Sequence, residues 1–314
     1  MKNKWIFLLA SCACFASCNK DDETTSENSS SQSTYAAEIT AQAYGYTTAE
    51  GTTPWGEDAS IGVYAFKAGT ANIVPDYANV CYHADGNSFS TATPEEAICL
   101  PATGEAWDVA AYSPYSAEAT ATGKAPFSIA DQAKLATDNI LYARVGSLNN
   151  VGRKASLPMR PVLPQLTFSI QVAGTYSTSS AQAVSVNLQG FPTEGVLDIT
   201  DGSVSVPEQA TAANIALPTL QGEPERENTT PAKTTINLKA VVLPATSTGG
   251  YKAQVHVPNI GDETIDLSRY QMAFSSGYHY LFTLSYIDGS LQVTVSASAI
   301  EDWGNSGNIS GKGE

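Results

Sequence analysis

The sequence predicts an all-β protein. Short segments in which apolar and polar residues alternate recur along most of the chain, with Gly, Pro, Asn and Asp between them. This pattern is typical of packed antiparallel sheets. Helical periodicity is scarce, and its best candidate, residues 130–141, is interrupted at Asp138. The chain has 314 residues, whereas one β-sandwich needs roughly 100, so we expect two tandem domains.

The clearest single element is a hairpin near the C-terminus. Residues 277–300 read GYHYLFTLSYIDGSLQVTVSASAI, two alternating runs around Asp288-Gly289. Asp-Gly favours a two-residue primed turn, which fixes the register of the two strands. One face is then apolar and the other mostly polar, so the hairpin should cover a core and turn its back to water. The turn places these residues opposite one another: Tyr286 and Leu291, Leu284 and Val293, Phe282 and Val295, Tyr280 and Ala297, Tyr278 and Ala299, Ser285 and Gln292, Thr283 and Thr294, Leu281 and Ser296, and His279 and Ser298.

The N-terminus predicts a lipoprotein signal peptide over residues 1–17. A short basic region, 1–4, precedes an uncharged apolar stretch, 5–15. That stretch is shorter than the roughly 20 residues that span a bilayer, as is typical of a cleaved signal. Small residues directly before Cys18 resemble the lipobox of bacterial lipoproteins, in which the cysteine thiol is acylated. We therefore predict lipid attachment at Cys18. The alternative is an ordinary signal peptide that contains cysteines.

Residues 18–35 have the composition of an acidic, Ser/Thr-rich tether. They carry no apolar anchor, so we expect a flexible segment. Lys20 followed by Asp21-Asp22-Glu23 resembles the short export signal that moves some lipoproteins to the outer face of the outer membrane. A solvated linker without that role is the alternative. The whole chain has a formal net charge of −15, which argues against nucleic acid or anionic membrane surfaces as partners.

The chain from residue 36 onward divides in two. Residues 152–164 contain three prolines and three basic residues, and proline cannot donate to a strand ladder. We therefore predict that no strand runs through this segment and that it is a domain boundary. An N-terminal β-sandwich domain would cover residues 36–157 and a C-terminal one residues 158–314. The strands expected before the hairpin are 36–46, 60–66, 79–83, 87–90, 97–100 and 106–112 in the first domain, and 165–172, 183–188, 195–199, 203–206, 235–243 and 252–257 in the second.

Of the five cysteines, two remain for structure. Cys12 and Cys14 lie within the signal peptide, and Cys18 would carry lipid. Cys81 and Cys99 remain, and an exported protein reaches a compartment that permits a disulfide between them. Both also lie in strand-like contexts, where cysteine behaves equally well as a small buried residue. A Cys81–Cys99 disulfide is therefore one of two open alternatives.

Residues that catalyse reactions or bind metals lack the required spacing. His83, His256 and His279 form neither an HxH nor an HExxH pattern, and His279 should be a solvated strand residue. No phosphate-binding glycine loop or nucleophile elbow is present. We predict no enzyme, no metal site and no cofactor. The acidic candidates all occur at turns, where carboxylates bond the local backbone: Glu57-Asp58, Asp198 with Asp201, and Glu301-Asp302.

Several landmarks occur in a fixed order along the chain. The lipobox at Cys18 is followed by WGEDASIGVY at 55–64, ICLP at 98–101, VAAYSPY at 109–115, DNILYA at 138–143, LPQL at 163–166, SGYHY at 276–280 and IEDW at 300–303. No single landmark is specific. Together and in this order they resemble the fimbrillin superfamily, the FimA-type pilins and related lipoproteins.

The resemblance implies two transthyretin-like β-sandwich domains and a part in a surface pilus at the outer membrane. In such pili a β-strand from one subunit completes the sheet of the next, because an unpaired sheet edge beside an apolar groove can accept a foreign strand. The implied partners are other pilus subunits, the outer membrane through lipid on Cys18, and a host or bacterial surface ligand. In shaft subunits, a trypsin-like protease first removes the N-terminal strand by cutting after a basic residue.

The chain departs from this shaft pattern. No Lys or Arg occurs between Lys20 and Lys67, and a cut at Lys67 would remove more than one strand. A non-enzymatic anchor or accessory subunit that keeps its lipid fits better than a processed shaft subunit, as does a pilus system with another protease. The alternative is a surface glycan-binding lipoprotein. Its candidate sugar-stacking residues are the aromatics Trp55, Trp107 and Tyr115. For the two tryptophans, packing in a core or at a domain interface is the favoured alternative.

Overall fold

The computed structural model describes residues 35–46, 52–135, 139–227, 230–270, 272–286 and 291–299. The signal peptide, Cys18, the tether, the Asp288-Gly289 turn and residues 300–314 lie outside the described residues. Nearly all regular structure is β-strand, which confirms the all-β prediction. Within the described ranges, no helix is long and apolar enough to cross a membrane.

The strands fall into two successive groups. The first half of the chain contains β1 (Glu38–Tyr44), β2 (Thr52–Thr53), β3 (Ser60–Lys67), β4 (Val80–Asp85), β5 (Ser88–Ser90), β6 (Trp107–Ser113), β7 (Lys124–Ser128), α1 (Gln132–Leu135), β8 (Leu141–Leu148) and β9 (Lys154–Pro161). The second half contains β10 (Gln165–Ala173), α2 (Thr178–Gln182), β11 (Ser185–Pro192), β12 (Glu194–Asp198), β13 (Val204–Ser205), β14 (Ala212–Ala216), β15 (Glu225–Glu227), β16 (Lys233–Val241), β17 (Lys252–Val257), β18 (Gly261–Asp266), β19 (Tyr278–Tyr286) and β20 (Gln292–Ala299).

Seven strands of the first half join into one closed sheet, here called the barrel. Its order is β1-β5-β4-β3-β6-β8-β9, and β9 pairs back onto β1; the short β2 lies beside β1. The closing β1–β9 pair is parallel, whereas the other neighbouring strands of the barrel are antiparallel. This pairing joins the two edges of the sheet, so that no long edge is left open.

The central strands of the barrel are buried on both faces because each contributes to two cores. Ile61, Val63 and Ala65 of β3 belong to the cluster inside the barrel, here called the inner core. Tyr64 and Phe66 of the same strand belong to a second cluster, the shared core, which extends into the second half of the chain. This burial on both faces explains why the strand is an almost continuous apolar run.

The second half is a sandwich of two sheets. Their strand orders are β15-β16-β10-β19-β20 and β14-β11-β17-β18. β10 is central in the first sheet, antiparallel to β16 and parallel to β19. Phe168 on β10, Phe282 on β19 and Val255 on β17 all lie in the shared core. Stacking of Phe168 on Phe282, with ring centroids 5.0 Å apart, adds to their apolar burial.

The C-terminal hairpin has the predicted strand direction and register. β19 and β20 are antiparallel, and their residue pairs run from Tyr278 opposite Ala299 to Ser285 opposite Gln292, as the alternation predicts. His279 is a strand residue on the polar face, as expected, and it is half-buried, with its Nε2 2.8 Å from Oγ1 of Thr167. The buried row of β19 consists of Tyr280, Phe282, Leu284 and Tyr286.

One part of the boundary prediction is wrong, because β9 is a strand within residues 152–164. The carbonyl of Arg153 accepts the backbone N–H of Glu38 on β1. Every second residue from Arg153 onward therefore directs its backbone N–H and C=O groups toward β1. The backbone of Pro158 has the opposite orientation and is directed toward β8. In the described residues, β9 pairs with β8 only at its last two residues. The missing N–H of Pro158 therefore removes no bond of the β1–β9 ladder.

Strand pairing and packing join the two halves. β7 from the first half pairs with β12 from the second in a sheet of order β13-β12-β7. At the junction, Tyr142 donates to the carbonyl of Ile199 at 3.0 Å, and Arg144 donates to that of Thr200 at 2.7 Å. The shared core is continuous across this junction. The division into domains at residues 157 and 158 stays a prediction, and that point lies inside β9.

Candidate functional site

Strand β1 and the groove that it fills are the candidate functional site. β1 pairs with β9 through six consecutive residue pairs. On its other side it pairs with β5 through two residue pairs and then with β2 through two more. Because β1 alone connects β9 to β5, its removal would open the barrel and leave two unpaired strand edges.

The side chains of β1 that enter the barrel are small and apolar. Ala37, directly before β1, and Ile39, Ala41 and Ala43 within it belong to the inner core, and each is exposed by 7% or less. The side chains that alternate with them face outward: Glu38, Thr40, Gln42 and Tyr44. Without β1, the space left would be a narrow apolar groove between two hydrogen-bonding edges, which is the arrangement that accepts an added β-strand.

Trp55 completes the hydrogen bonding of β1 where its neighbouring strands leave a gap. The N–H of Ala41 donates to the carbonyl of Asn87 at 2.9 Å, just before β5 begins. The carbonyl of Ala41 instead accepts the indole N–H of Trp55 at 3.0 Å. The indole also meets the ring of Phe89 edge-on, with centroids 5.2 Å apart. Trp55 thus supplies the donor that a continuous strand would have provided.

Tyr46 anchors the chain directly after β1, and it does so in the other core. Its side chain is 4% exposed and belongs to the shared core, not to the inner core. Its hydroxyl donates to Oδ1 of Asn139 at 3.3 Å. The segment from β1 to Tyr46 is therefore packed into both hydrophobic clusters of the molecule.

Two arginines next to or within β9 contact β1 from outside. The guanidinium of Arg153 lies 3.2 Å from the carboxylate of Glu38, and that of Arg160 lies 4.5 Å from the ring centre of Tyr44. Both contacts are at the surface, where an ion pair or a cation–π contact contributes at most about 1 kcal/mol. The burial and the ladder therefore hold β1 more than these charges do.

A cleft of about 730 Å³ opens beside the C-terminal end of β1. Tyr46, Trp55, Tyr115, Asn139 and Gln165 are among its lining residues. The carbonyl oxygen of the Gln165 side chain is buried and has no hydrogen-bond partner among the described residues. The cleft lies between the barrel and the sheet of the second half, a common position for ligands.

The three aromatic candidates for sugar stacking do not form one platform. Trp107 is 9% exposed and packs on Tyr77, with ring centroids 5.7 Å apart. Trp55 lines the cleft, but its N–H and one edge of its ring are engaged by Ala41 and Phe89. Tyr115 also lines the cleft. Two of the three residues are thus brought together, and the third lies in the inner core.

Cys81 and Cys99 are reduced thiols in the structure, and the disulfide between them stays a prediction. Cys81 lies on β4 beside His83, with Sγ 3.8 Å from Nε2 of the imidazole. Ser60 is 3.0 Å from the other imidazole nitrogen. Burial raises the pKa of the Cys81 thiol, and the nearby charge of Glu96 raises it further. A raised pKa keeps the sulfur protonated and unreactive at neutral pH.

Asp198, Asp201 and the three histidines make local structural contacts, whereas Glu301-Asp302 lies outside the described residues. Burial raises the pKa of Asp198, but hydrogen bonds from Lys124 and Thr200 outweigh that effect and hold the pKa below its ordinary value. His256 Nδ1 lies 2.7 Å from Asp262 on an exposed edge. In the described part of the chain, no group of three or more His, Cys, Asp or Glu side chains is arranged to hold a metal ion.

Comparison with solved structures shows where this fold occurs. A proposed cell adhesion protein from Bacteroides uniformis shares 21% identity at a TM-score of 0.65, covering 84% of this chain and 98% of that one. One from Bacteroides ovatus shares 18% identity at a TM-score of 0.65, covering 84% and 97%. A fimbrial protein from Bacteroides vulgatus shares 12% identity at a TM-score of 0.50, covering 83% and 98%. At these identities the likeness concerns the fold alone.

The family assignment comes from the sequence itself. No curated protein matches the chain significantly. The fimbrillin-like family, however, matches residues 47–303, a range that contains nearly all of the described barrel and sandwich. This protein therefore belongs to the fimbrillin-like family.

Proposed function

We propose that this protein is a surface-exposed, non-enzymatic pilus subunit or adhesin that assembles with other subunits by β-strand complementation. Its family membership supports a fimbrial role. The single observation that carries the assembly mode is β1, the first strand of the described residues and the one among them that closes the barrel and covers an apolar groove. A groove of this kind, once emptied, can be refilled by a strand from another chain.

We further assign this subunit an anchor or accessory role. The stretch from Asp21 to Phe66 contains no Lys or Arg, so a protease specific for basic residues cannot cut between β1 and β3. Lys67 is the last residue of β3, and a cut there would detach β1, β2 and β3 together. Since β3 lies between β4 and β6 in the barrel, its loss would destroy the groove instead of opening it.

Retention of β1 gives the subunit one closed side. The N-terminal segment before β1 would lead back to lipid on Cys18, which holds the protein at the outer membrane. On another side of the molecule, β20 pairs with β19 alone among the described strands and contains no charged residue. An uncharged edge strand is open to pairing with a neighbouring subunit. A fibre could therefore end at the groove and continue elsewhere.

The glycan-binding alternative is tied to the cleft beside β1. Trp55 and Tyr115 line that cleft with an amide oxygen that has no partner, but Trp107 does not join them. A carbohydrate array would separate the two functions. Binding of a saccharide that is lost in Tyr115→Ala would favour the alternative, whereas absence of binding would leave the pilus subunit.

The test of the pilus proposal is the state of the protein in assembled surface fibres. Fibres sheared from cells and washed would be analysed by N-terminal sequencing and by mass spectrometry of the first peptide. We expect a chain that begins at an acylated Cys18 and retains β1. A chain that begins near residues 45–60 would overturn the anchor role, and absence from fibres would overturn the pilus role.

A further inference from the structure

We propose that Trp55 and Tyr46 form a lock that keeps β1 in the barrel even after the chain is cut between them. The two residues are positioning residues for strand exchange, and this role rests on the proposed function of β1. In this view, cleavage alone does not open the groove. A donor strand could enter only once both contacts are released.

A cut between these residues would divide the contacts in a particular way. Tyr46 would leave with β1 on the N-terminal fragment, whereas β2 and Trp55 would stay with the barrel. The hydrogen bond from Trp55 to Ala41 and the β1–β2 ladder both cross the cut. These contacts therefore still hold the fragment in place after the peptide bond is broken.

Trp55 matters because it serves a backbone group that has no strand partner. The backbone carbonyl of Ala41 lies between the short β5 and the short β2. The backbone N–H of Ala41 already donates to the carbonyl of Asn87. Without the indole donor, the carbonyl would be a buried acceptor without a hydrogen-bond partner, and such a group lowers the stability of the folded state. Trp55 thereby links two short ladders into one continuous support along β1.

Tyr46 couples the departure of β1 to the junction between the halves. The inward side chains of β1 lie in the inner core, whereas Tyr46 lies in the shared core and donates to Asn139 beside β8. The fragment cannot simply unzip from the barrel, because it must also withdraw a buried aromatic ring from a second core. The two events are far less probable together than either alone.

The experiment places a cut at this point and follows the fragment. The recognition sequence of a site-specific viral protease is inserted between Ala49 and Glu50 of the full mature protein, purified in detergent. After cleavage, size-exclusion chromatography with mass spectrometry shows whether the N-terminal fragment stays bound. Its exchange against an excess of a labelled synthetic peptide of residues 35–46 gives a rate.

We expect the cut protein to retain its fragment on the column. Trp55→Phe keeps a ring against Phe89 but lacks the N–H, and Tyr46→Phe keeps the buried ring but lacks the hydroxyl. Each should speed exchange about five- to tenfold, as the loss of one net hydrogen bond implies. Trp55→Ala should speed it about a hundredfold, because the ring contact is lost as well.

Two matched variants control for changes in overall stability. Trp107→Phe and Tyr286→Phe remove the same chemical groups, but the indole N–H of Trp107 and the hydroxyl of Tyr286 have no hydrogen-bond partner in the structure. Neither should change the exchange rate. Hydrogen exchange in the uncut variants, compared between β1 and β10, provides a second readout. Only the two lock variants should lose protection in β1 while β10 stays protected.

Loss of the fragment from the cut parent protein as soon as cleavage is complete would overturn the lock. Equal exchange rates in the lock variants and in their controls would overturn it as well. Both outcomes concern isolated protein and leave the fibre analysis untouched. Conversely, absence of the protein from fibres would refute the pilus role without altering these rates.

Discussion

The guanidinium of Arg144 on β8 lies 3.0 Å from the carboxylate of Asp108 on β6. The same carboxylate accepts the backbone N–H groups of Gly69 and Ser147, and the guanidinium also covers the ring of Phe66 at 4.3 Å. Since Arg144 further donates to Thr200 in the second half, this ion pair fixes the outer face of the barrel to its neighbour. It is the most extensively bonded charged contact that the structure shows at the junction.

Removal of the cation should therefore destabilise the fold. Arg144→Met keeps an unbranched apolar chain but leaves the Asp108 carboxylate, 11% exposed, without its ion partner. We expect a loss of about 2–4 kcal/mol in the free energy of unfolding, as for other partly buried pairs. Urea unfolding measures it. Lys67→Met is the control, because the Lys67–Glu105 pair is exposed and 3.8 Å apart and should contribute less than about 0.5 kcal/mol.

The same carboxylate predicts a pH dependence. Burial raises the pKa of Asp108, but hydrogen bonds from Gly69, Arg144 and Ser147 outweigh it and leave the pKa below its ordinary value of 3.8. Its ionised form therefore stabilises the fold above that value, and the contribution is lost as the pH falls through the lower folded pKa. The stability difference between the parent protein and Asp108→Asn should be constant near neutral pH and shrink in acid. A difference that grows in acid would contradict this.

The confirmed hairpin predicts a strong contrast between two adjacent positions. Phe282 is fully buried against Phe168, so Phe282→Ala should cost about 3–5 kcal/mol. Thr283 lies on the opposite face of β19 and is half-buried, so Thr283→Ala should cost about 0.5–1 kcal/mol. Denaturant unfolding of both variants tests this, and similar losses would be inconsistent with the register.

Gly202 should tolerate no side chain because a Cβ there would overlap a neighbouring ring. A second glycine with a similar φ angle but open space around it serves as the comparison. Both Gly202 and Gly222 have positive φ angles, +78° and +87°, but a Cβ on Gly202 would lie 2.5 Å from the ring of Tyr142, whereas one on Gly222 would meet nothing within 4 Å. Alanine at either position carries the left-handed strain of roughly 1–2 kcal/mol. Gly202→Ala should lose about 1–3 kcal/mol more through overpacking. Thermal unfolding of the two variants gives the difference.

Lipid attachment predicts a change in location. Cys18→Ala should leave an unlipidated precursor that no longer fractionates with the outer membrane. Metabolic labelling with a fatty acid and membrane fractionation measure both properties. A variant that still carries label and still sediments with membranes would refute the lipobox assignment.

The missing basic residues predict resistance to trypsin. Digestion of the folded protein should produce no cut between Lys20 and Lys67, leave residues 36–66 covalently joined and form no polymers. Ala49→Arg should permit cleavage while the lock retains β1. Ala49→Arg combined with Trp55→Ala should speed strand exchange after cleavage about a hundredfold over Ala49→Arg alone, seen as higher oligomers on native gels. Polymers from trypsin-treated parent protein would contradict the anchor role.

The elements that local pattern predicts best are those whose partner is adjacent in the chain. The β19–β20 hairpin follows from alternation and a turn, and both are local. β9 does not, because Pro158 is compatible with a strand only if that position faces away from β1, which depends on a strand more than 100 residues earlier. The β7–β12 pairing is missed for the same reason: no local pattern specifies a partner across the halves.

The candidate site shows the same limit. The strand-like pattern at residues 36–46 predicts β1. Trp55, in contrast, lies in a turn-rich segment where an aromatic residue predicts either packing or sugar binding. That its indole reaches the carbonyl of Ala41 follows only from how β5 and β2 leave a gap. Tyr46 likewise shows no sign in the sequence that its side chain enters a different core from its own strand.

The parallel pairing of β1 with β9 has a mechanical consequence for an anchor. With lipid at Cys18, tension on the fibre would enter the barrel at the N-terminal end of β1 and act along the strand axis. Load in this direction shears all six β1–β9 residue pairs at once, whereas a perpendicular load would peel them apart one by one. For the proposed lipid-anchored subunit, the strand that closes the barrel would thus bear pulling force through its whole ladder.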